Sequence, residues 1–408
     1  MDFDVSRRQV LASVTGATVV GSAGCLQFVQ SEPEATESDG TATDEAPNTE
    51  GEGSTNGPTV SVETVSLEPL DEFTALGGST MALAEGFFGN SDRSVRAVDS
   101  DGELRWESEG LPSEYRLMLS SRAAAVANDT AYVCARSNPQ STIRLSAYDR
   151  ESGETNWSVQ FDYPGLGLVG GVAANAGGVV IARNQTDPDA QGTVTALDQS
   201  GDELWSATVD ELIAGIVEYQ GTLFVMSQST LFEAPVEAGS ELSAIVDLDR
   251  NESAGSNLLA QDVAHEAGVL YPRGTQLAAI GLADGTVRWK REPDYELLNG
   301  AGPAATADVV VTGTEAGYVI GFDRASGEVR WTNRIEGGLR PHSHLIADDK
   351  YVWTGDDTGR VYGFRAADGE LVHQRLLRES QRGFSANVAA TGGTVLINAS
   401  PPAYRIRE

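Results

Sequence analysis

Beyond residue 58 the chain is a succession of short apolar runs, each cut off by a turn rich in Asp, Ser and Gly. This pattern predicts strands rather than helices. The stretch from Gly317 to Trp331 carries it most fully. Val319 to Phe322 and Glu328 to Trp331 have strand composition, and Asp323-Arg-Ala-Ser-Gly327 between them is turn chemistry: Asp caps its own backbone and Gly is free to take positive φ. Further copies run from Ala97 through Asp99 and Gly102 to Trp106, from Ala147 through Asp149 and Gly153 to Trp157, and from Ala196 through Asp198 and Gly201 to Trp205. Two more end at Gly285 with Trp289 and at Gly369 with His373. The aromatic always lies four residues after the Gly, which fixes the hairpin register and the face that the ring occupies.

A second strand pair precedes each hairpin, as 302–306 and 308–313 precede this one, so each unit holds four short strands. Trp289 to Trp331 and Trp331 to His373 are each 42 residues, and Trp205 to Trp289 is twice that. A hidden unit is therefore expected around Leu231-Phe-Glu-Ala, with Gly239 and then Ser243 at the lost anchor position. Four strands repeated at this period predict an all-β chain, a β-propeller of four-stranded blades. The strands near 386–390, 394–399 and 404–407 make three strands of a further unit without its fourth, and the open edge that this leaves invites aggregation. The strand-like run from Thr59 to Leu67 is the expected donor that joins the two ends, giving eight blades, with seven as the alternative.

The unit resembles the pyrroloquinoline-quinone (PQQ) repeat propellers, whose blades carry Ala-x-Asp-x-x-x-Gly-x-x-x-Trp. Ala147 to Trp157 matches that motif position by position, and Gly321 to Trp331 differs only in Gly for Ala. The resemblance covers residues 60–408 and implies that Trp106, Trp157, Trp205, Trp289 and Trp331 pack between neighbouring blades. Trp353 falls outside the anchor position and is expected to tolerate substitution. Catalytic members of the family hold the quinone over the propeller axis with Ca²⁺, an Asp base and, in many cases, adjacent cysteines. Here the two cysteines, Cys25 and Cys134, are far apart, and the expectation is a chain without cofactor or catalysis. The resemblance then points to the non-enzymatic branch typified by the outer-membrane protein assembly factor B lipoproteins, which act as scaffolds. A degenerate PQQ-dependent or carbohydrate-active enzyme is the alternative.

Composition places this unit in a setting. The formal charge is −32, with Lys290 and Lys350 the only lysines, and such self-repulsion opposes a compact state unless concentrated salt shortens its range. That implies a haloarchaeal source and argues against a nucleic-acid partner, which would need a basic stripe. Residues 1–25 resemble a twin-arginine export signal built on Arg7-Arg8, ending in a lipobox-like Ser22-Ala-Gly-Cys25. The expectation is a lipid on Cys25 and retention on the outer face of the cytoplasmic membrane. Residues 26–58 form an acidic linker too poor in apolar residues to order itself. Cys134 lies in a strand-like run and reads as a small buried hydrophobe.

Five N-x-Ser/Thr sequons begin at Asn128, Asn156, Asn184, Asn251 and Asn398, of which Asn184 and Asn251 read as loop acceptors. Arg340-Pro-His342-Ser-His344 is the most distinctive chemistry, although two imidazoles make an incomplete zinc site and no metal is expected. With Tyr115-Arg116, Leu166-Gly167 and Gly338, the residues Arg340, His342 and His344 mark the expected surface for an unidentified protein partner.

Overall fold

The computed structural model describes residues 66–69, 77–83, 86–91, 94–99, 101, 103–117, 123–137, 142–162, 168–185, 191–248, 262–292, 302–335, 345–347, 350–356, 360–376, 388–391, 394–397 and 403–407. The expectations for Arg7, Arg8, Cys25 and the linker lie outside them. The described strands form eight antiparallel sheets, and no α-helix occurs among them. The first to eighth sheets span 77–107, 115–162, 168–209, 213–247, 262–291, 304–334, 346–376 and 388–407. Within a sheet the strands pair in chain order. Two sheets depart from the simple pattern. In the second, Tyr115–Leu117 and Ala124–Ala127 both pair with Thr130–Ser137, and in the eighth the outermost strand is Ser66–Pro69, paired with Ala403–Arg407. That added strand takes in the end of the run expected to donate it, Thr59 to Leu67, whose residues 59–65 lie outside the described residues.

The sixth sheet shows why the repeated residues are what they are. Its strands are Ala304–Ala305, Val309–Gly313, Tyr318–Asp323 and Val329–Arg334. The β-branched run Val309 to Val311 is fully buried, as a central strand enclosed on both faces requires. Asp323 ends the third strand, and its Oδ1 accepts the backbone N–H groups of Ala325 at 3.0 Å and Ser326 at 2.8 Å. Gly327, at φ +71°, closes the turn by donating its N–H to the Asp323 carbonyl. Gly321 then faces Trp331 and Phe322 faces Val329, so one residue bulges. The same bulge sets Ala97 opposite Trp106, Ala147 opposite Trp157, Ala196 opposite Trp205, Ala279 opposite Trp289 and Gly363 opposite His373.

Each Trp reaches out of its own sheet. Trp106, Trp157, Trp205, Trp289 and Trp331 donate their indole N–H to the carbonyls of Arg150, Gln199, Pro235, Arg324 and Ala366 at 2.7 to 3.0 Å. All five acceptors sit in the corresponding turn of the following sheet. In three of them the acceptor directly follows the capping residue Asp149, Asp198 or Asp323. A methyl group on Gly153, Gly201 or Gly327 would come within 2.5 to 2.8 Å of the preceding sheet's indole, and one on Gly369 would collide with Trp331. The Asp and Gly of the repeat thus shape the seat for the preceding sheet's Trp. That is what the motif encodes.

Two expectations are corrected. In the fourth sheet Leu231 faces Val246, so Val246 and not Ser243 holds the anchor place. The connection 234–242 is longer than the other turns, which breaks the spacing from Gly239, and Ile245 beside Val246 packs toward Gly285. Trp353 is fully buried rather than tolerant. It faces Gly363, which in turn faces His373, and the ring centroids of Trp353 and His373 are 5.9 Å apart. Trp353 fills over Gly363 the space that the smaller His373 leaves. The second sheet has the same aromatic, small, aromatic row in Tyr132, Ala147 and Trp157.

Candidate functional site

The first strands of successive sheets adjoin in order. Ala124–Ala127 lies against Leu168–Asn175, that strand against Ile213–Tyr219, and so on through Asp262–Glu266, Ala304–Ala305, Ile346–Ala347, Val388–Thr391 and Gly77–Leu83. Small residues permit this close approach: a methyl on Gly171 would sit 3.0 Å from the backbone N of Ile216, and one on Gly215 would strike Val263. Where the first strands of the second to fifth sheets converge they leave a cavity of about 300 Å³. Its wall is Ala, Val, Ile and Gly, with Glu218 the one ionisable group among the described residues that line it.

The Glu218 carboxylate accepts the Gly221 N–H at 2.6 Å, which ties it to its own turn. Near it, the His265 ring meets Tyr219 edge-on at 6.0 Å. Burial pushes the His265 imidazole below its usual value, against the pull of Glu266 and Glu218. Sequence reasoning missed this cavity, because Ala and Gly in first strands read only as weak strand composition. The described wall does not fit a Ca²⁺-bound quinone, since Ca²⁺ takes six to eight oxygen ligands and this wall offers one carboxylate. No group of three or more His, Cys, Asp or Glu able to hold a metal occurs among the described residues.

The repeated aspartates act as turn caps. Asp99, Asp149, Asp198 and Asp323 each accept backbone N–H groups of their own turns. The Ser326 N–H, then Arg330, hold the Asp323 carboxyl down at about 2. Asp149 is lowered by the Ser152 N–H and Asp198 by the Ser200 hydroxyl. Cys134 is fully buried, and burial pushes its thiol far up, which makes it an inert packing residue as expected.

The expected partner surface is only partly visible. Arg340, His342, His344, Gly338 and Leu166-Gly167 lie outside the described residues. Tyr115 is corrected: it is buried, with its hydroxyl donating to Gln160 Oε1 at 2.8 Å and the Arg144 guanidinium 5.7 Å from its ring centre. It starts a strand and packs inward, so it offers no surface. Asn184 is also corrected as a loop acceptor. It is buried, donates from Nδ2 to the Ile213 carbonyl at 2.8 Å and accepts the Ile213 N–H at 2.7 Å.

Repeated four-stranded sheets fastened by a Trp in an Asp and Gly frame define a β-propeller-type protein of the PQQ-repeat class. The family model described as outer membrane protein assembly factor BamB matches residues 140–293 and 273–402, more than half of the chain, and the chain belongs to that family. No curated protein sequence matches it. Among solved structures it is similar to BamB from Moraxella catarrhalis, with 16% identity and a TM-score of 0.55 over 84% of this chain and 96% of that one. It is also similar to the quinohemoprotein alcohol dehydrogenase ADHIIG from Pseudomonas putida HK5, with 13% identity and a TM-score of 0.54 over 82% of this chain and 71% of that one. Sqt1 of Saccharomyces cerevisiae is a third, with 13% identity and a TM-score of 0.58 over 84% and 98%. At these identities the likeness is one of fold.

Proposed function

We propose that the protein is a non-catalytic extracytoplasmic scaffold that binds another protein at the cell surface. The observation that carries this reading is membership of a family whose name denotes a factor in outer membrane protein assembly. From that name only the role toward a protein partner is carried over. In this reading Arg7 and Arg8 direct twin-arginine export, a lipid on Cys25 retains the chain on the outer face of the cytoplasmic membrane, and residues 26–58 form the tether. The eight sheets are eight blades of one ring, and Ser66–Pro69 closes it by pairing with Ala403–Arg407. The sequential adjoining of the first strands supports that geometry. The charge of −32 suits a protein that works in concentrated salt.

Crosslinking of intact cells, followed by mass spectrometry of the membrane fraction, tests the role. A discrete protein adduct is expected. A stoichiometric quinone absorbance on adding PQQ with Ca²⁺, together with oxidation of an alcohol or sugar, would overturn the scaffold reading in favour of an enzyme. Cys25→Ser should release the protein into the medium, and its retention on the membrane would mean that the anchor is something else.

A further inference from the structure

We infer that Asn128 is an N-glycosylation site and that the fold withholds Asn184 from the same chemistry. The inference rests on the exported location proposed above. A twin-arginine substrate crosses the membrane already folded, so the fold decides which sequons a transferase outside can reach. Asn251 and Asn398 lie outside the described residues. Asn184 is buried, and both ends of its carboxamide are bound to the Ile213 backbone. Asn156 is exposed at the bulge of its strand, but Trp157 behind it is tied to Gln199 and the Ser158 hydroxyl lies 3.0 Å from that of Ser146. The middle and last residues of that sequon are therefore engaged.

Asn128 sits at the tip of the hairpin joining Ala124–Ala127 to Thr130–Ser137, exposed, at φ +50°. Among the described residues no hydrogen bond holds its carboxamide. The corresponding turns of the fourth and fifth sheets put Gln220 and Ala267 in the same left-handed conformation, at φ +50° and +45°. The backbone therefore does not demand Asn at this place, and Asn128-Asp-Thr130 supplies a sequon on an open tip. In the transfer, Nδ2 of Asn128 forms a bond to the anomeric carbon of a lipid-phosphate-linked oligosaccharide. The bond from that carbon to the phosphate oxygen breaks, the lipid phosphate leaves with the electron pair, and the amide proton passes to a base of the transferase.

The test uses full-length protein purified from the membrane fraction of its own cells. Trypsin cuts after Arg122 and Arg136 and isolates Asn128 from every other sequon. That peptide should carry a sugar mass and release sugar fragment ions, while peptides containing Asn184 should be unmodified. Asn128→Gln, which places at this tip the residue type that Gln220 already supplies in the fourth sheet, should abolish the modification with the thermal midpoint unchanged. An unmodified Asn128 peptide from membrane-bound protein, or sugar on Asn184, overturns the inference and leaves the export reading standing. Protein found wholly in the cytosol overturns both.

Discussion

Trp331→Ala should be among the most damaging single changes in the chain. Trp331 is 7% exposed and lies in one apolar cluster with Val309, Val311 and Val319 of its own sheet and with Val352, Tyr362 and Phe364 of the next. Its ring stacks on Phe364 at 6.3 Å with an interplanar angle of 22°. Truncation to Ala in such a setting costs about 3 to 5 kcal/mol from lost transfer energy and the cavity left behind. It also deprives the Ala366 carbonyl of its indole donor, worth ~1 kcal/mol, so the upper half of that range is expected. Trp331→Phe keeps most of the ring area and loses the donor, so ~1 to 2 kcal/mol is expected. Trp157, only half-buried, should lose less on truncation than Trp331. Denaturant titration at one fixed high salt concentration, which holds the charge repulsion constant, measures all three. If Trp331→Ala lost less than ~1 kcal/mol, fastening between sheets by the indole would not be what holds them together.

Other outcomes follow from the same contacts. Trp353→Ala should cost about as much as Trp331→Ala, because it empties the row over Gly363, and a small loss by denaturant titration would refute the burial argument. Gly369→Ala adds a collision with Trp331 to the strain of φ +75°, whereas Gly239→Ala at φ +78° meets nothing nearby and should lose only ~1 to 2 kcal/mol; equal thermal shifts would refute the seat. The Asp323 carboxyl, held down in the folded state, contributes stability that is present above its unfolded value near 4 and is lost as pH falls toward about 2. An NMR titration should place its midpoint there, and Arg330→Ala should raise it. Dilution into millimolar salt should unfold the protein by circular dichroism, and an unchanged spectrum would refute the role given to the charge of −32.

The hairpin register was legible because the anchor aromatic sits four residues after the Gly in six copies of the unit. It failed at the fourth sheet because the longer connection 234–242 shifts the anchor place from Ser243 to Val246 while leaving the pairing intact. Trp353 was misjudged because spacing along one strand says nothing about the residue opposite. Only the pairing with Gly363, and the small ring of His373 beyond it, reveals the space that Trp353 fills. Asn184 and Tyr115 looked like loop residues in a stretch of turn-forming neighbours, and both proved to be strand residues turned inward. The cavity was invisible for a further reason: it is made by what Ala and Gly leave out, and no motif marks an absence of side chains.

The direction of the indole bonds has a consequence for biosynthesis. Trp106 leaves the ribosome 44 residues before its acceptor Arg150, and Trp331 leaves 35 before Ala366. At about 5 to 20 residues per second, each sheet waits roughly 2 to 9 s before its fastener can engage. Ser66–Pro69 waits far longer, since the strands of all seven other sheets are made between it and its partner Ala403–Arg407. The nascent chain therefore carries one unfastened sheet at its growing end and one unpaired strand at its start. Both stay open to a neighbouring copy until the fastener and the closing strand arrive.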